Sequence, residues 1–167
     1  MRKNLAAVAA LVACALALAG CGMNAAKPDS GAASVVCHPI DAKEVAGLFD
    51  RWNRSLQTGN PHAVVANYAA RSILLPTVSN KPRVTAAEKE DYFEHFLHDG
   101  PSGTIDFSFI DIGCNSAFDA GLYTFVFAKT GAKVAARYTF TYAWDGKQWL
   151  ITSHHSSKMP EEVIPAH

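Results

Sequence analysis

From Gly103 onward, apolar residues recur at every second position: Ile105, Phe107 and Phe109; then Tyr123, Phe125 and Phe127; then Tyr138, Phe140 and Tyr142; then Trp149 and Ile151. Successive side chains of a strand point to opposite faces, so this period buries one face of four long strands and leaves the other polar. Thr130-Gly131 and Asp145-Gly146 separate the runs as hairpin turns. The second is the pair that a type I′ turn favours, because both central residues there need positive φ. An antiparallel meander is the expected result.

The stretch before Gly103 has a different period. Asp41-Ala-Lys-Glu44 reads as a capping box, and Val45, Leu48, Phe49, Trp52 and Leu56 follow at helical spacing, so a helix is expected over about 42–57. Gly59 ends it, and Asn60-Pro61 opens a short second helix carrying Val64, Val65 and Tyr68. Ser72 to Leu75 is a brief apolar strand stopped by Pro76, and Thr77 to Arg83 has no period and reads as a loop. Thr85-Ala-Ala-Glu88 is a second capping box, opening a helix to about Leu97 with Tyr92, Phe93, Phe96 and Leu97 on its inward stripe. Helices followed by an antiparallel sheet make an α+β fold, with three helices packed on one face of a curved sheet.

The first residues serve targeting. Arg2 and Lys3 precede an apolar stretch from Leu5 to Leu18, the length of a signal-peptide core and short of the roughly 20 residues that span a bilayer. The run ends in Leu18-Ala-Gly-Cys21, which resembles a bacterial lipobox, with Cys21 as the lipidated first residue of the mature chain. Cleavage after Ala17-Leu18-Ala19, releasing a soluble secreted protein, is the competing reading. The expected organisation is a signal peptide at 1–20, lipidated Cys21 and a flexible tether at 21–36, a domain at 37–160 and a tail at 161–167. Anchoring would come from acyl chains, on a membrane facing the periplasm or cell exterior. Cys14 leaves with the signal peptide and Cys21 carries lipid, so Cys37 and Cys114 remain in an oxidising compartment and are expected to pair. Two buried free thiols are the alternative, as is a metal pair, although no C-x-x-C supports one.

Lys+Arg and Asp+Glu number 15 each and no like-charge run occurs, so neither nucleic acid nor an acidic surface is implied as partner. No G-x-S-x-G, Walker loop or dinucleotide fingerprint is present, and no cofactor is expected.

Five segments carry a family resemblance: Leu74-Leu-Pro-Thr-Val-Ser-Asn80, Asp91-Tyr-Phe-Glu-His-Phe-Leu97, Ala136-Arg-Tyr-Thr-Phe140, Trp144-Asp-Gly-Lys-Gln-Trp-Leu150 and His154-His-Ser-Ser-Lys-Met-Pro160. Together with the element order they resemble the cone fold of nuclear transport factor 2. Within it they are similar to bacterial relatives of the calcium/calmodulin-dependent protein kinase type II association domain, over roughly 38–160. Some of these relatives carry an oxidoreductase label from an enediyne biosynthesis cluster, which no residue here supports. No kinase domain and no basic calmodulin-target helix is present, so calcium signalling does not transfer. The resemblance implies a cone with an internal pocket, and homo-oligomers, dimers or higher, formed through the sheet.

Candidate site residues follow from strand faces and from that cone. Arg137, Thr139 and Thr141 share one polar strand face, opposite Tyr138, Phe140 and Tyr142. If that face lines the cavity, Arg137 holds a carboxylate or phosphate, with Thr139 beside it; an exposed face or a structural ion pair is the other reading. Arg83 is placed at the cavity mouth. Tyr92, on the inward stripe, finds its hydroxyl partner either in the core or in the cavity. His154 and His155 point to opposite faces and cannot share a metal ion; similarity to the association-domain motif favours His155 as the cavity residue and candidate base, against a merely structural strand-end histidine. His95 and His98 lie off the apolar stripe, and no metal is expected. Asp91 and Asp119 are carboxylates without a clear place. Two functions remain: a lipid-tethered oligomeric module binding a small anionic or amphipathic ligand, or a small enzyme of the cyclase, isomerase or dehydratase type using a cavity His and Arg.

Overall fold

The computed structural model describes residues 35–161. The expected signal peptide at 1–20, Cys21, the tether up to residue 34 and residues 162–167 of the tail lie outside them. Among the described residues, no helix is long and apolar enough to cross a membrane.

Three helices come first: α1 (Ala42–Leu56), α2 (Pro61–Val65) and, after strand β1 (Tyr68–Leu75), α3 (Ala86–Leu97). Both capping boxes form. The Asp41 carboxylate accepts from the Glu44 amide and the Glu44 carboxylate accepts from the Asp41 amide, both at 2.8 Å, and Thr85 and Glu88 repeat the exchange at the start of α3. The buried stripe of α1 is Val45, Phe49, Trp52 and Leu56, as its spacing predicts. Trp52 is 1% exposed and meets Phe93, Phe125 and Phe140 edge-on, so it ties α1 to both α3 and the sheet. Its truncation to alanine would cost about 3–5 kcal/mol. The α3 stripe also buries a lysine: the Lys89 ammonium donates to the carbonyls of Ser72 and Val84, both at 3.0 Å, which replaces the water it loses.

The sheet has the order β1-β5-β4-β3-β2, with β2 (Pro101–Ile112), β3 (Ser116–Phe127), β4 (Lys133–Trp144) and β5 (Trp149–Lys158) forming the antiparallel meander. The first strand is longer than the Ser72 to Leu75 segment expected, and it adds to β5 in parallel, so the sheet is mixed. The Asp145-Gly146 connection is not a two-residue turn. Residues 145–148 link the paired Trp144 and Trp149, and the Asp145 side chain accepts from the amides of Lys147 and Gln148, both at 2.8 Å.

Two register shifts interrupt the period of two. In β2 the pairing jumps between Ile105 and Phe107, so Ile105 opposes the buried Tyr123 whereas Phe107 opposes Leu122 on the other face. The extra residue, Asp106, reverses the phase of everything beyond it. Phe107 and Phe109 are therefore each 58% exposed on the outer face, and they do not continue the core as the alternation predicts. Gly121 sits opposite this bulge, where an added Cβ would lie 1.9 Å from the Phe107 carbonyl oxygen. The second shift is in β5, between the pairs Tyr142↔Ile151 and Thr141↔Ser153, with Thr152 as the extra residue.

Cys37 and Cys114 form a disulfide with their Cα atoms 4.7 Å apart, closing a separation of 77 residues. It holds the start of the domain to the β2–β3 end of the sheet, where His38 stacks on Trp144 at 3.6 Å and Asn115 accepts from the His38 amide. Such a bridge is of the kind that forms and persists in an oxidising compartment.

Candidate active site

The concave face of the sheet and α3 enclose a cavity of about 270 Å³. Its walls are mostly aromatic: Tyr92, Phe93 and Phe96 from α3, and Tyr123, Phe125 and Phe127 from β3. Its polar side chains come from β5 (His154 and Ser156), from the loop after β1 (Thr77) and, at the α3 end, from His95 and the carboxylate of Asp99. Pro76 stops β1 and sends the chain into that loop, which brings the Thr77 hydroxyl into a hydrogen bond with the Ser156 hydroxyl. His154 lines the cavity two residues earlier on the same strand.

The Thr152 bulge decides which β5 residues face inward. Trp149 and Ile151 oppose the buried Trp144–Tyr142 face of β4; after the extra residue, His154 opposes Phe140 and Ser156 opposes Tyr138. His154 is 4% exposed and stacks on Phe140 with ring centroids 4.1 Å apart. Burial pushes its pKa down to about 3, so the imidazole is neutral at physiological pH. Its Nδ1 lies 2.9 Å from the Tyr68 hydroxyl, and its Nε2 is buried with no protein partner.

The aromatic hydroxyls also stay protonated. Burial pushes Tyr92 up to about 12, with the Arg83 guanidinium partly opposing it, and burial raises Tyr123 further, with Ser156 partly offsetting the shift. Arg83 is fixed through its backbone, which exchanges two 2.9 Å hydrogen bonds with Leu74 of β1. Its guanidinium carbon lies 6.0 Å from the Tyr92 ring centroid, in a shallower depression that shares Val78, Tyr92, His95 and Phe96 with the cavity and forms its mouth. His95 is exposed on this rim; its Nδ1 is 2.8 Å from the Asp91 carbonyl oxygen, to which it donates, so its Nε2 is left as an acceptor.

The structure thus brings together two of the residues expected from sequence, Tyr92 in the wall and Arg83 at the mouth. Arg137, Thr139 and His155 are not with them. His155 pairs with Thr139 across β5 and β4 on the outer face of the sheet, and the exposed Arg137 donates there to the Ser157 hydroxyl at 3.2 Å. The assignment of His155 to the cavity, which rested on similarity to the association-domain motif, is corrected to His154: the bulge at Thr152 shifts the strand phase by one, so that residue 154 and not 155 follows Ile151 on the inner face. The polar face of β4 is outward because Tyr138, Phe140 and Tyr142 occupy the concave side. Thr77, Tyr123, His154 and Ser156 were missed, although Thr77, His154 and Ser156 stand inside the Leu74-to-Asn80 and His154-to-Pro160 segments. Asp119 is buried below Tyr138, which donates to it at 2.9 Å, and it does not line the cavity. Among the described residues, no three His, Cys, Asp or Glu side chains converge as a metal site would require.

With this geometry in place, likeness to known proteins has a specific content. A family model described as the calcium/calmodulin dependent protein kinase II association domain matches residues 41–160. A crystallised association domain of that description from Xanthomonas campestris is 48% identical, with a TM-score of 0.71, covering 74% of this chain and 91% of that one. An NTF2-like protein with a cystatin-like fold from Novosphingobium aromaticivorans shares the architecture at 11% identity and a TM-score of 0.62, covering 73% and 84% of the two chains. So does a cyanobacterial iota-carbonic anhydrase complexed with bicarbonate, at 19% identity and a TM-score of 0.67, covering 77% and 98%. No functionally curated protein matches the chain. The match spans all the elements that build the cavity, and the chain belongs to the calcium/calmodulin dependent protein kinase II association domain family, on an NTF2-like cone fold.

Proposed function

We propose that the cavity binds a small planar oxyanion of the bicarbonate class and interconverts it with carbon dioxide. The observation that carries this is the Thr77–Ser156 hydroxyl pair beside a neutral, half-partnered His154 in a cavity walled mainly by aromatic and aliphatic side chains, with Asp99 and His95 at its α3 end. Hydroxyl and N–H donors in a low-dielectric pocket suit an oxygen that gains negative charge, while the Phe96 and Phe125 walls suit apolar carbon dioxide. The volume fits a ligand of few atoms. A fold neighbour's complex with bicarbonate adds to the reading.

Hydration would run as follows. Water held by the Thr77–Ser156 pair attacks the carbon; one C=O bond opens and its oxygen takes the charge, accepting from the donors around it. The proton leaves toward the rim, where His95, whose Nδ1 faces the Asp91 carbonyl oxygen, offers Nε2 on the lining as the acceptor. Arg83 draws the anion to the mouth. Stopped-flow carbon dioxide hydration with the purified domain tests this. Turnover that falls in Ser156→Ala supports it; no turnover with intact bicarbonate binding leaves a binding module, and loss of both overturns it.

The same reading places the protein outside the cytoplasm, tethered through Cys21, with copies paired across the outer sheet face. The disulfide supports export and the family supports self-association. Palmitate labelling of the wild type but not of Cys21→Ser tests the tether.

A further inference from the structure

Trp52, Tyr68 and His154 form a buried chain whose last member, His154, lines the cavity and has its Nε2 buried without a protein partner. The indole N–H of Trp52 can only donate, and it lies 3.2 Å from the Tyr68 oxygen. That oxygen lies 2.9 Å from His154 Nδ1. Tyr68 is 6% exposed, and burial keeps its hydroxyl protonated well beyond neutral pH. With its oxygen accepting from Trp52, its single proton has one acceptor in reach, His154 Nδ1. A neutral imidazole that accepts at Nδ1 carries its proton on Nε2. On the other side, the Lys89 ammonium lies 5.8 Å from the Tyr68 ring centroid, pinned to two backbone carbonyls, so the ring is held from both sides.

We propose that Trp52 and Tyr68 are positioning residues that lock His154 as an Nε2–H donor to the cavity, so that its ligand must present an acceptor oxygen there. The assignment deepens the bicarbonate reading and rests on it only for the identity of that oxygen. A cation or a metal ion is refused at this point, since an Nε2 bearing hydrogen has no lone pair to give. His154 therefore steadies the anion, and proton removal falls to another group.

The test uses the protein labelled with ¹⁵N-histidine. Long-range ¹H–¹⁵N correlation of His154 is expected to show the Nε2–H tautomer, unchanged from pH 5 to 8, in the wild type, and to lose that single pattern in Tyr68→Phe. An Nδ1–H pattern or a titrating His154 in the wild type overturns the lock without need of any variant. Sodium bicarbonate is then expected to shift the Nε2–H signal. A locked Nε2–H that ignores bicarbonate overturns the oxyanion assignment while leaving the tautomer standing, so the two failures are told apart. His154→Gln, which keeps a donor in the cavity, is expected to retain bicarbonate affinity within about threefold, whereas His154→Leu weakens it about tenfold or more. Equal losses in the two variants overturn the donor role.

Discussion

His154 and His155 are consecutive, yet only His154 lies against the concave side, stacked 4.1 Å from Phe140, while His155 pairs with Thr139 on the outer face. The one-residue bulge at Thr152, held by a 2.7 Å hydrogen bond between the hydroxyls of Thr141 and Thr152, sets that choice. It yields a direct contrast. Ser156→Ala and Thr77→Val are each expected to weaken bicarbonate binding by about tenfold, the loss for one hydrogen bond to a charged group, whereas His155→Gln leaves it unchanged. Isothermal titration with sodium bicarbonate reads all three. A His155→Gln variant as impaired as Ser156→Ala would return His155 to the site.

Neutral burial of His154 also gives stability an acid limb. Its pKa is lowered from 6.5 to about 3 in the fold, so between these values the unfolded chain takes up a proton that the folded chain refuses. Stability falls as pH falls through that window, by up to about 1.4 kcal/mol per unit from this group, and levels off below it. Carboxylates titrate there too, so the comparison is with His154→Gln, whose urea midpoint is expected to fall less between pH 7 and pH 4.

Arg83 is expected to act on binding more than on chemistry. Its guanidinium stands beside Tyr92 at the mouth, outside the Thr77–Ser156 cluster, so Arg83→Gln should raise KM about threefold to tenfold and leave kcat nearly intact. The wild-type advantage should shrink as ionic strength rises, because added salt screens the half-buried charge at the mouth. Initial rates at low and high sodium chloride measure both effects. A change confined to kcat would move Arg83 into the reacting centre.

The Cys37–Cys114 bridge closes a long loop, so reduction is expected to lower stability by about 4–5 kcal/mol in the chain-entropy account. Urea unfolding with and without dithiothreitol gives the figure. Cavity function should survive reduction under native conditions, because the bridge lies at the β2–β3 end of the sheet and contributes nothing to the cavity lining.

Much of the fold could be read from the sequence because its signals are local. Capping residues at Asp41 and Thr85, the stripe of α1 and the alternation of β3 and β4 each act within a few positions, and each appears where expected. The bulges were not legible. Neither Asp106 nor Thr152 carries a residue-type signature, and each reverses strand phase for all that follows: Phe107 and Phe109 turn outward, and His154 replaces His155 inside. Assigning the polar face of β4 was a choice between two faces, and it turned on which side α1 packs. Aromatic bulk takes the concave side, where Phe49 and Trp52 meet Tyr138 and Phe140. Thr77 stands in an aperiodic loop, so only the fold could bring it to Ser156.

The same phase reversal leaves an outer face suited to self-association. Phe107 and Phe109 are each 58% exposed there, with Phe109 5.9 Å from Phe118, and Arg137, Thr139 and His155 share the surface. Exposed aromatic side chains grouped on one sheet face are costly in water and gain by meeting a like surface. A closed pair across this face would bury them on both copies at once. The paired substitution Phe107→Asp with Phe109→Asp is expected to convert the assembly to monomers in light scattering, since each carboxylate would have to be desolvated at the interface. Both side chains point away from the core, so the monomer should keep its helical and strand circular dichroism. Arg137→Ala should weaken association less, because it donates to Ser157 within its own chain. An unchanged mass for the double variant would place the contact between copies elsewhere on the cone.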